Sequence, residues 1–236
     1  MAVFTLESAQ DNIRVKDGKR VFYLADGDHL TPSAREWLQR ERVEVLPASA
    51  AKVSKFKTPD GGFYEHKPEH MTHLKADVLV RKDHPRIRFR GMVDHLEAHL
   101  LLAIRQAGEE SSLAKDLREL LSAVRGLIRC DVMDEPITLN TLCGLTMDEI
   151  RLRSHLPQKY YDQPHFMPSE QDSSMLLTLN MIRTVIRQTE LVAYEAFHDR
   201  EGLVTRMDLI TLLNRLSSML WILMIRQKKE EQDGKT

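Results

Sequence analysis

The chain has 236 residues and a formal net charge of −1 at pH 7, a balance that gives no support for nucleic acid or an acidic membrane surface as a partner. Aromatic residues make up only 6% of it while leucine, methionine and isoleucine are plentiful, which favours an α-helical core over a β-sandwich. Cys130 and Cys143 form neither a disulfide framework nor a CxxC pair. With no signal region and no apolar run that approaches a membrane span, we expect a soluble cytoplasmic protein.

The first third of the chain differs from the rest. Residues 20–25 have a β-like pattern, residues 43–46 are extended, and between them Thr31 and Pro32 are typical of a helix start. Residues 47–68 are polar, contain adjacent glycines and are interpreted as a linker or mobile loop. We expect residues 1–66 to form a small α/β appendage and linker, with a docking module as the alternative.

From Phe89 onwards helical periodicity dominates the sequence. Apolar stripes end at Gly108 and then cover 113–128, a shorter helix surrounds 147–153, and two long helices cover about 173–200 and 207–228. We therefore predict an all-α protein: an up-and-down bundle of about five helices over residues 67–236, carrying the small α/β appendage.

Two of these helices carry polar groups on apolar faces. Arg183, Arg187 and Glu190 are one turn apart, and Asn214 begins the motif of the last helix together with Arg215. A buried arginine needs an anion, so either the protein supplies carboxylates or a ligand supplies phosphates.

A second polar group precedes the first long helix. Lys82 and Arg86 flank Pro85, and Asp94 follows on that helix. One reading is an acidic residue near a helix N-terminus among solvated basic residues. The other is an Asp94–arginine bridge beside a polyphosphate site, because guanidinium groups match phosphate geometry.

These segments resemble a known family. The strings KDHPRIRFRGMVD (82–94), RTVIRQTE (183–190) and LNRLSSML (213–220) look like the motifs of the ATP:corrinoid adenosyltransferases of the propanediol-utilisation type. The ethanolamine-utilisation branch matches more closely, through LTPSARE (30–36), THL (72–74) and RCDVMDEP (129–136). The resemblance covers nearly the whole chain, and the order and spacing of the motifs carry it.

The resemblance implies a five-helix fold, a homo-oligomer with a trimer favoured, and active sites between subunits. It implies transfer of the 5′-deoxyadenosyl group of ATP to reduced cobalt of cobalamin, with release of inorganic triphosphate, in ethanolamine degradation. Asp94, Arg183 and Arg187 are then the catalytic residues, with Asp94 paired to Arg183. The expected ATP-binding residues by position are Thr72, Lys82, Arg86, Arg187, Glu190 and Asn214. Implied partners are a reductase or ethanolamine-degrading enzymes, in the cytoplasm or a bacterial microcompartment.

The chain departs from the family pattern at two places. Residues 67–74, where the propanediol-type enzymes have a glycine-rich phosphate loop, contain no glycine, so Thr72 and basic side chains would hold phosphates. The cysteine cluster of some ethanolamine-branch members is also missing, and only His66, His70 and His73 remain nearby. We expect no protein-bound transition metal, but Mg²⁺ with the triphosphate, since Mg²⁺ prefers oxygen ligands.

The loop over residues 158–169 is the expected corrinoid contact. The family places a phenylalanine three residues before a proline; here His165 stands three before Pro168 and Phe166 two before. We favour Phe166 as the apolar face that replaces the lower axial ligand of cobalt and so eases its reduction; His165 is the other corrinoid-facing candidate. The alternative is a loop that simply packs.

Two non-catalytic functions compete with the transferase. The separate N-terminal region suits a helical scaffold or cargo adaptor of an ethanolamine-utilisation compartment. The missing glycine-rich loop suits a nucleotide sensor that binds ATP without turnover. ATP binding separates the transferase from the scaffold, and product formation separates it from the sensor.

Overall fold

The computed structural model describes residues 2–53 and 55–234. Met1, which begins the first predicted domain, and Thr236, which ends the second, lie outside the described residues. The chain divides into two compact units, Met1–His84 and Pro85–Thr236. The boundary that we expect between residues 66 and 67 separates the appendage and linker from the helical-bundle domain, and it stays a prediction.

The first unit is built around a mixed β-sheet. The described strands of this unit are β1 (Val3–Phe4), β2 (Arg14–Lys16), β3 (Lys19–Leu24), β4 (His29–Leu30), β5 (Glu44–Pro47), β6 (Phe56–Lys57), β7 (Phe63–Tyr64), β8 (Met71–Lys75) and β9 (Val78–Arg81). Seven of them form the mixed sheet, in the order β5-β3-β2-β7-β6-β9-β8. The helices are α1 (Leu6–Asp11) and α2 (Pro32–Arg40), and a 3-10 helix covers Ala48–Val53.

Helix α2 begins where the sequence predicts. The Thr31 hydroxyl accepts a hydrogen bond from the Ala34 N–H at 3.3 Å, and Pro32 occupies the first turn. Ala34 and Leu38 pack into a small core with Phe22 of β3 and Ala9 of α1. The predicted extended segments at 20–25 and 43–46 correspond to β3 and β5, which pair in parallel.

Residues 47–68 do not form a linker. They contain the 3-10 helix and strands β6 and β7, which pair antiparallel. The turn between them needs glycine: Gly61 has φ +81°, and a Cβ at Gly62 would lie 2.6 Å from the Thr58 hydroxyl. Two-residue strands between polar residues carry too little periodicity to be distinguished from loops.

The second unit is largely helical. Its helices within the described residues are α3 (Pro85–Ala107), α4 (Ser112–Met133), α5 (Met147–His155), α6 (Pro157–Tyr161), α7 (Ser174–Ala196) and α8 (Met207–Asp233). A hairpin of β10 (Thr141–Leu142) and β11 (Leu145–Thr146) leads into α5. Helices α3, α4, α7 and α8 share one core, to which α5 contributes Ile150.

Helix α8 contains a long apolar stretch. By length and composition it is long and apolar enough to cross a membrane, contrary to our expectation from the sequence. However, 56% of the relevant window is buried inside the protein, and the helix packs along α7. That burial is typical of the core helix of a soluble protein, so the hydropathy of α8 is weak evidence for a membrane span.

The prediction of an all-α protein is wrong. Alongside eight helices, the described residues contain the seven-stranded mixed sheet, so the fold is mixed α/β. Whole-chain composition is dominated by the long leucine-rich helices and hides the short strands. The sheet also extends further than the predicted appendage, since β8 and β9 continue it to Arg81.

One buried ion cluster joins α3 to α4. The Asp131 carboxylate is fully buried; it accepts hydrogen bonds from Arg86 Nε at 2.7 Å and from Arg90 Nε at 2.6 Å. Arg86 also donates through Nη2 to the Asp131 carbonyl at 2.7 Å. One carboxylate thus fixes the first turns of α3 against the end of α4.

We expect Asp131→Ala to destabilise the protein by about 3 kcal/mol, because it leaves two half-buried guanidinium groups without their carboxylate. The measurement is equilibrium urea unfolding. Arg125→Ala is the matched control, since it removes the more exposed Arg125–Glu97 pair and should cost under about 1 kcal/mol. Equal midpoints for both variants would show that the cluster does not hold the helices.

Candidate functional site: an arginine-lined groove along α7 and α8

Helices α7 and α8 each bury one face and carry a row of polar side chains, the polar seam, on another face. On α7 the core positions are Ile182, Val185, Ile186 and Thr189, so Arg183, Arg187 and Glu190 fall on a different face. On α8 the same rule leaves Asn214, Ser217 and Trp221 beside the buried leucines. The helical period alone therefore brings the two predicted motifs together.

Three adjoining cavities lie along this seam. The first, of about 530 Å³, is lined by Ser154, His155, His165, Phe166, Met167, Pro168, Arg183, Arg187, Asn214, Ser217, Ser218 and Trp221. The second, of about 420 Å³, is lined by Arg151, His155, Glu190, Ile210, Thr211, Asn214 and Arg215. The third, of about 270 Å³, is lined by Arg187, Glu190, Leu191, Asn214 and Ser217. Asn214 lines all three, so we treat them as one groove.

An aromatic wall closes one side of the first cavity. The Trp221 indole stacks on His165, with ring centroids 5.8 Å apart and planes 9° apart, and on Phe166 at 5.0 Å and 29°. The guanidinium carbon of Arg183 lies 5.3 Å from the Trp221 ring centroid. Trp221 thus contacts both the predicted corrinoid loop and a predicted catalytic arginine.

The loop that carries His165 and Phe166 is held by contacts to α8 and α5. Asp172 pairs with Lys228 of α8, and the Lys228 Nζ lies 5.7 Å from the Phe166 ring centroid. Ser173, the N-cap of α7, bonds to Glu231. His165 Nε2 lies 3.4 Å from the His155 carbonyl oxygen.

Arg183 and Arg187 bring two positive charges to the first cavity. Burial, and then the neighbouring charge of Arg187, lower the pKa of Arg183 below its usual value. The Arg183 Nε is buried and has no hydrogen-bond partner in the described part of the chain. Within residues 2–53 and 55–234, neither arginine forms an ion pair, so this wall suits an anionic ligand.

A short hydrogen-bond chain fixes the centre of the groove. Arg215 Nη1 donates to Asn214 Oδ1 at 2.8 Å, and Asn214 Nδ2 donates to Glu190 Oε1 at 3.3 Å. Because a guanidinium only donates and a carboxylate only accepts, the two neighbours fix which way the amide of Asn214 faces.

Several predicted site residues lie elsewhere. Arg86 faces Asp131, as described above, and lines none of the three cavities. Thr72 on β8 and Lys82 after β9 belong to the first unit, and the groove is built without them. Asp94 is exposed on α3 and forms no ion pair within the described residues, so it is not paired with Arg183 of its own chain.

Sequence reasoning missed Arg151, His155 and Trp221. Trp221 stands seven residues after Asn214, two turns along the same face of α8, and that spacing was a usable signal. Arg151 and His155 depend on the placement of α5, which the sequence does not reveal. Among the described residues, no group of three His, Cys, Asp or Glu side chains converges as a metal-binding set.

The sequence is similar to a known family and to named relatives. A family model described as cobalamin adenosyltransferase matches residues 63–227. The corrinoid adenosyltransferase EutT of Salmonella typhimurium is 30% identical over 247 aligned positions, which cover 91% of this chain and 88% of that protein. The EutT of Escherichia coli K12 is 34% identical over 160 positions, covering 67% of this chain and 59% of that protein. The chain therefore belongs to the cobalamin adenosyltransferase family.

Proposed function

We propose that the groove along α7 and α8 binds ATP beside a reduced corrinoid. The protein is a corrinoid adenosyltransferase of the ethanolamine-utilisation type: it transfers the 5′-deoxyadenosyl group of ATP to cobalt of cobalamin and releases inorganic triphosphate. The observation that carries the placement is the juxtaposition of arginines without carboxylate partners and an aromatic wall in one cavity. The first suits phosphates, and the second suits a large apolar macrocycle.

The arginines act on the leaving group. When cobalt attacks the 5′-carbon, negative charge grows on the departing triphosphate, and fixed cations stabilise that charge most where water is excluded. Arg183 is already partly desolvated in the free protein, so an anion at this position relieves its unfavourable burial. Holding the 5′-carbon in line with cobalt is the second contribution of the groove.

The aromatic wall acts on the corrinoid. The nucleophile is the substrate's cobalt and not a side chain, so no protein triad is needed. Phe166 is half-buried against Trp221 and presents an apolar surface to the first cavity. Placed below cobalt, it excludes water and any lower ligand, which removes electron donation to the metal and eases reduction to Co(I).

Mg²⁺ fits the groove as a companion of the triphosphate. Of the described residues that line the three cavities, Glu190 alone carries a carboxylate. Mg²⁺ is commonly held by one or two carboxylates together with substrate phosphates. Glu190 would hold the ion, which neutralises phosphate charge when bound.

A second copy of the chain would complete the site. Asp94 is exposed without an ion-pair partner in the described residues, whereas Arg183 has a buried nitrogen that lacks an acceptor. Exposed apolar side chains lie on the same two helices, such as Leu102 on α3 and Leu191 on α7, each 67% exposed. We therefore place Asp94 of the partner subunit against Arg183, in a trimer with inter-subunit sites.

The cellular setting follows from the same proposal. An enzyme of ethanolamine degradation would work in the cytoplasm or inside a bacterial microcompartment. It would take electrons from a reductase and deliver its product to ethanolamine-degrading enzymes. The sheet of the first unit is then the candidate for docking to such partners.

The direct test is an anaerobic assay with ATP and chemically reduced cobalamin. We expect the absorption change of adenosylcobalamin formation, with one inorganic triphosphate released per turnover. ATP binding without product would instead identify a nucleotide sensor, and absence of ATP binding would favour a scaffold.

Arg187→Ala should lower kcat/KM for ATP by about 2–4 kcal/mol of transition-state stabilisation, because a charge-assisted phosphate contact is lost. Steady-state kinetics with Co(I) supplied directly give the value. Gln188→Ala is the matched control, since Gln188 is the exposed neighbour of Arg187 and lines none of the cavities. Unchanged kcat/KM in a folded Arg187→Ala protein would remove Arg187 from the site.

Subunit mixing tests the pairing of Asp94 with Arg183. Asp94→Ala and Arg183→Ala should each be nearly inactive, yet co-assembled they should regain activity. Under random mixing about a quarter of the interfaces combine an intact Arg183 with Asp94 of the partner subunit. If the pair lay within one chain, mixing would restore nothing, and Asp94→Ala with wild-type turnover and assembly would exclude the bridge.

Phe166→Ala separates reduction from transfer. With Co(II) and a mild reductant, the adenosyl-transfer activity of this variant should fall sharply. With Co(I) supplied directly it should fall less, because the apolar face acts in the reduction of cobalt. Leu203→Ala is the control, since this apolar side chain is 68% exposed and lines none of the three cavities. Equal loss in both assays would mean that Phe166 only packs against Trp221.

A further inference from the structure

We infer that Arg151 and Arg215 form an anion subsite in the second cavity that receives the outer phosphates of the triphosphate chain. The inference rests on the proposed function and adds to it two residues that contact substrate. Both guanidinium groups line the second cavity, of about 420 Å³, which the first cavity joins through His155 and Asn214.

Neither arginine is neutralised by the protein. Arg151 and Arg215 form no ion pair within the described residues, and the Arg215 Nε is buried without a hydrogen-bond partner. The cavity contains one carboxylate, Glu190, and its hydrogen bond goes to Asn214. Two guanidinium groups around one space repel each other, and an anion between them removes that cost.

The local sequence fixes the helix that carries Arg151 and the side chain of Arg215. Thr146 and Glu149 form a capping box at the start of α5, with the Thr146 N–H donating to Glu149 Oε2 at 2.9 Å. Helix α5 packs on α8 through the buried Ile150, the neighbour of Arg151. Arg215 is tied to Asn214 by the 2.8 Å hydrogen bond. The Arg215 guanidinium, held in this way, loses little freedom when an anion binds.

The charge along the groove matches a long polyanion. Arg183 and Arg187 line the first cavity, Arg151 and Arg215 line the second, and Asn214 lies in both. Within one chain, four guanidinium groups against one carboxylate leave a surplus of three positive charges, and two remain when Asp94 of the partner subunit faces Arg183. A single phosphate would engage one cavity, whereas a triphosphate chain extends across Asn214 and engages both.

The test is isothermal titration calorimetry with inorganic triphosphate, ATP and adenosine on Arg151→Gln and Arg215→Gln. We expect each variant to weaken triphosphate and ATP binding by about ten-fold or more, the factor for losing one charge-assisted hydrogen bond. Adenosine binding should stay unchanged. Arg105→Gln is the matched control: Arg105 is an exposed arginine on α3 that lines none of the three cavities.

The outcomes separate this inference from the proposed function. Wild-type triphosphate affinity in both variants would overturn it while adenosyl transfer by the wild-type protein stands. Equal losses for adenosine and triphosphate would also overturn it, since Arg215 would then act only by orienting Asn214. Absence of triphosphate binding to the wild-type protein would also overturn the inference. Triphosphate binding that depends on both arginines, in a protein that forms no adenosylcobalamin, would instead contradict the proposed function. Arg151→Gln keeps the test valid if the half-buried Arg215 proves necessary for folding.

Discussion

Positive charge that the protein does not neutralise is the constraint on which the second unit depends. Arg183 carries its guanidinium on a helix whose adjacent positions fill the core, and burial already lowers its pKa. A fold keeps such a group only where packing elsewhere offsets the cost. Here the long apolar faces of α7 and α8 provide that packing, and the Arg183 guanidinium lies over the Trp221 ring. The unpaired charge of Arg183 therefore lies in the groove, where an anionic ligand can neutralise it.

The Asp131 cluster shows the opposite use of the same residue type. Arg86 and Arg90 share one buried carboxylate, and these ion pairs hold α3 against α4. The resemblance predicted Arg86 as an ATP-binding residue, yet in this structure it faces Asp131. The partner decides the role: an arginine with a buried carboxylate holds helices together, and one without such a partner is free to bind phosphate.

Sequence periodicity predicted the parts of the molecule that follow local rules. The long helices and the convergence of Arg183, Arg187 and Asn214 follow from the 3.6-residue repeat, which acts within one helix. The all-α prediction failed because β6 and β7 have only two residues each and are defined by pairing with distant strands. Arg151 was missed for a related reason: nothing near it in sequence indicates that α5 packs on α8. Contacts between segments far apart in the chain produce no periodic pattern of residues in the sequence.

Trp221 links the two chemical halves of the groove. Its indole contacts His165 and Phe166 on the apolar side and Arg183 on the charged side. A macrocycle that displaces water from the aromatic wall therefore also removes water from around Arg183. Lower local polarity strengthens the attraction between that guanidinium and a phosphate and raises the cost of leaving it unpaired. In the proposed site the apolar wall would therefore be more than a surface for cobalamin, because the same contact would strengthen the electrostatic attraction between Arg183 and the triphosphate that leaves when cobalt attacks.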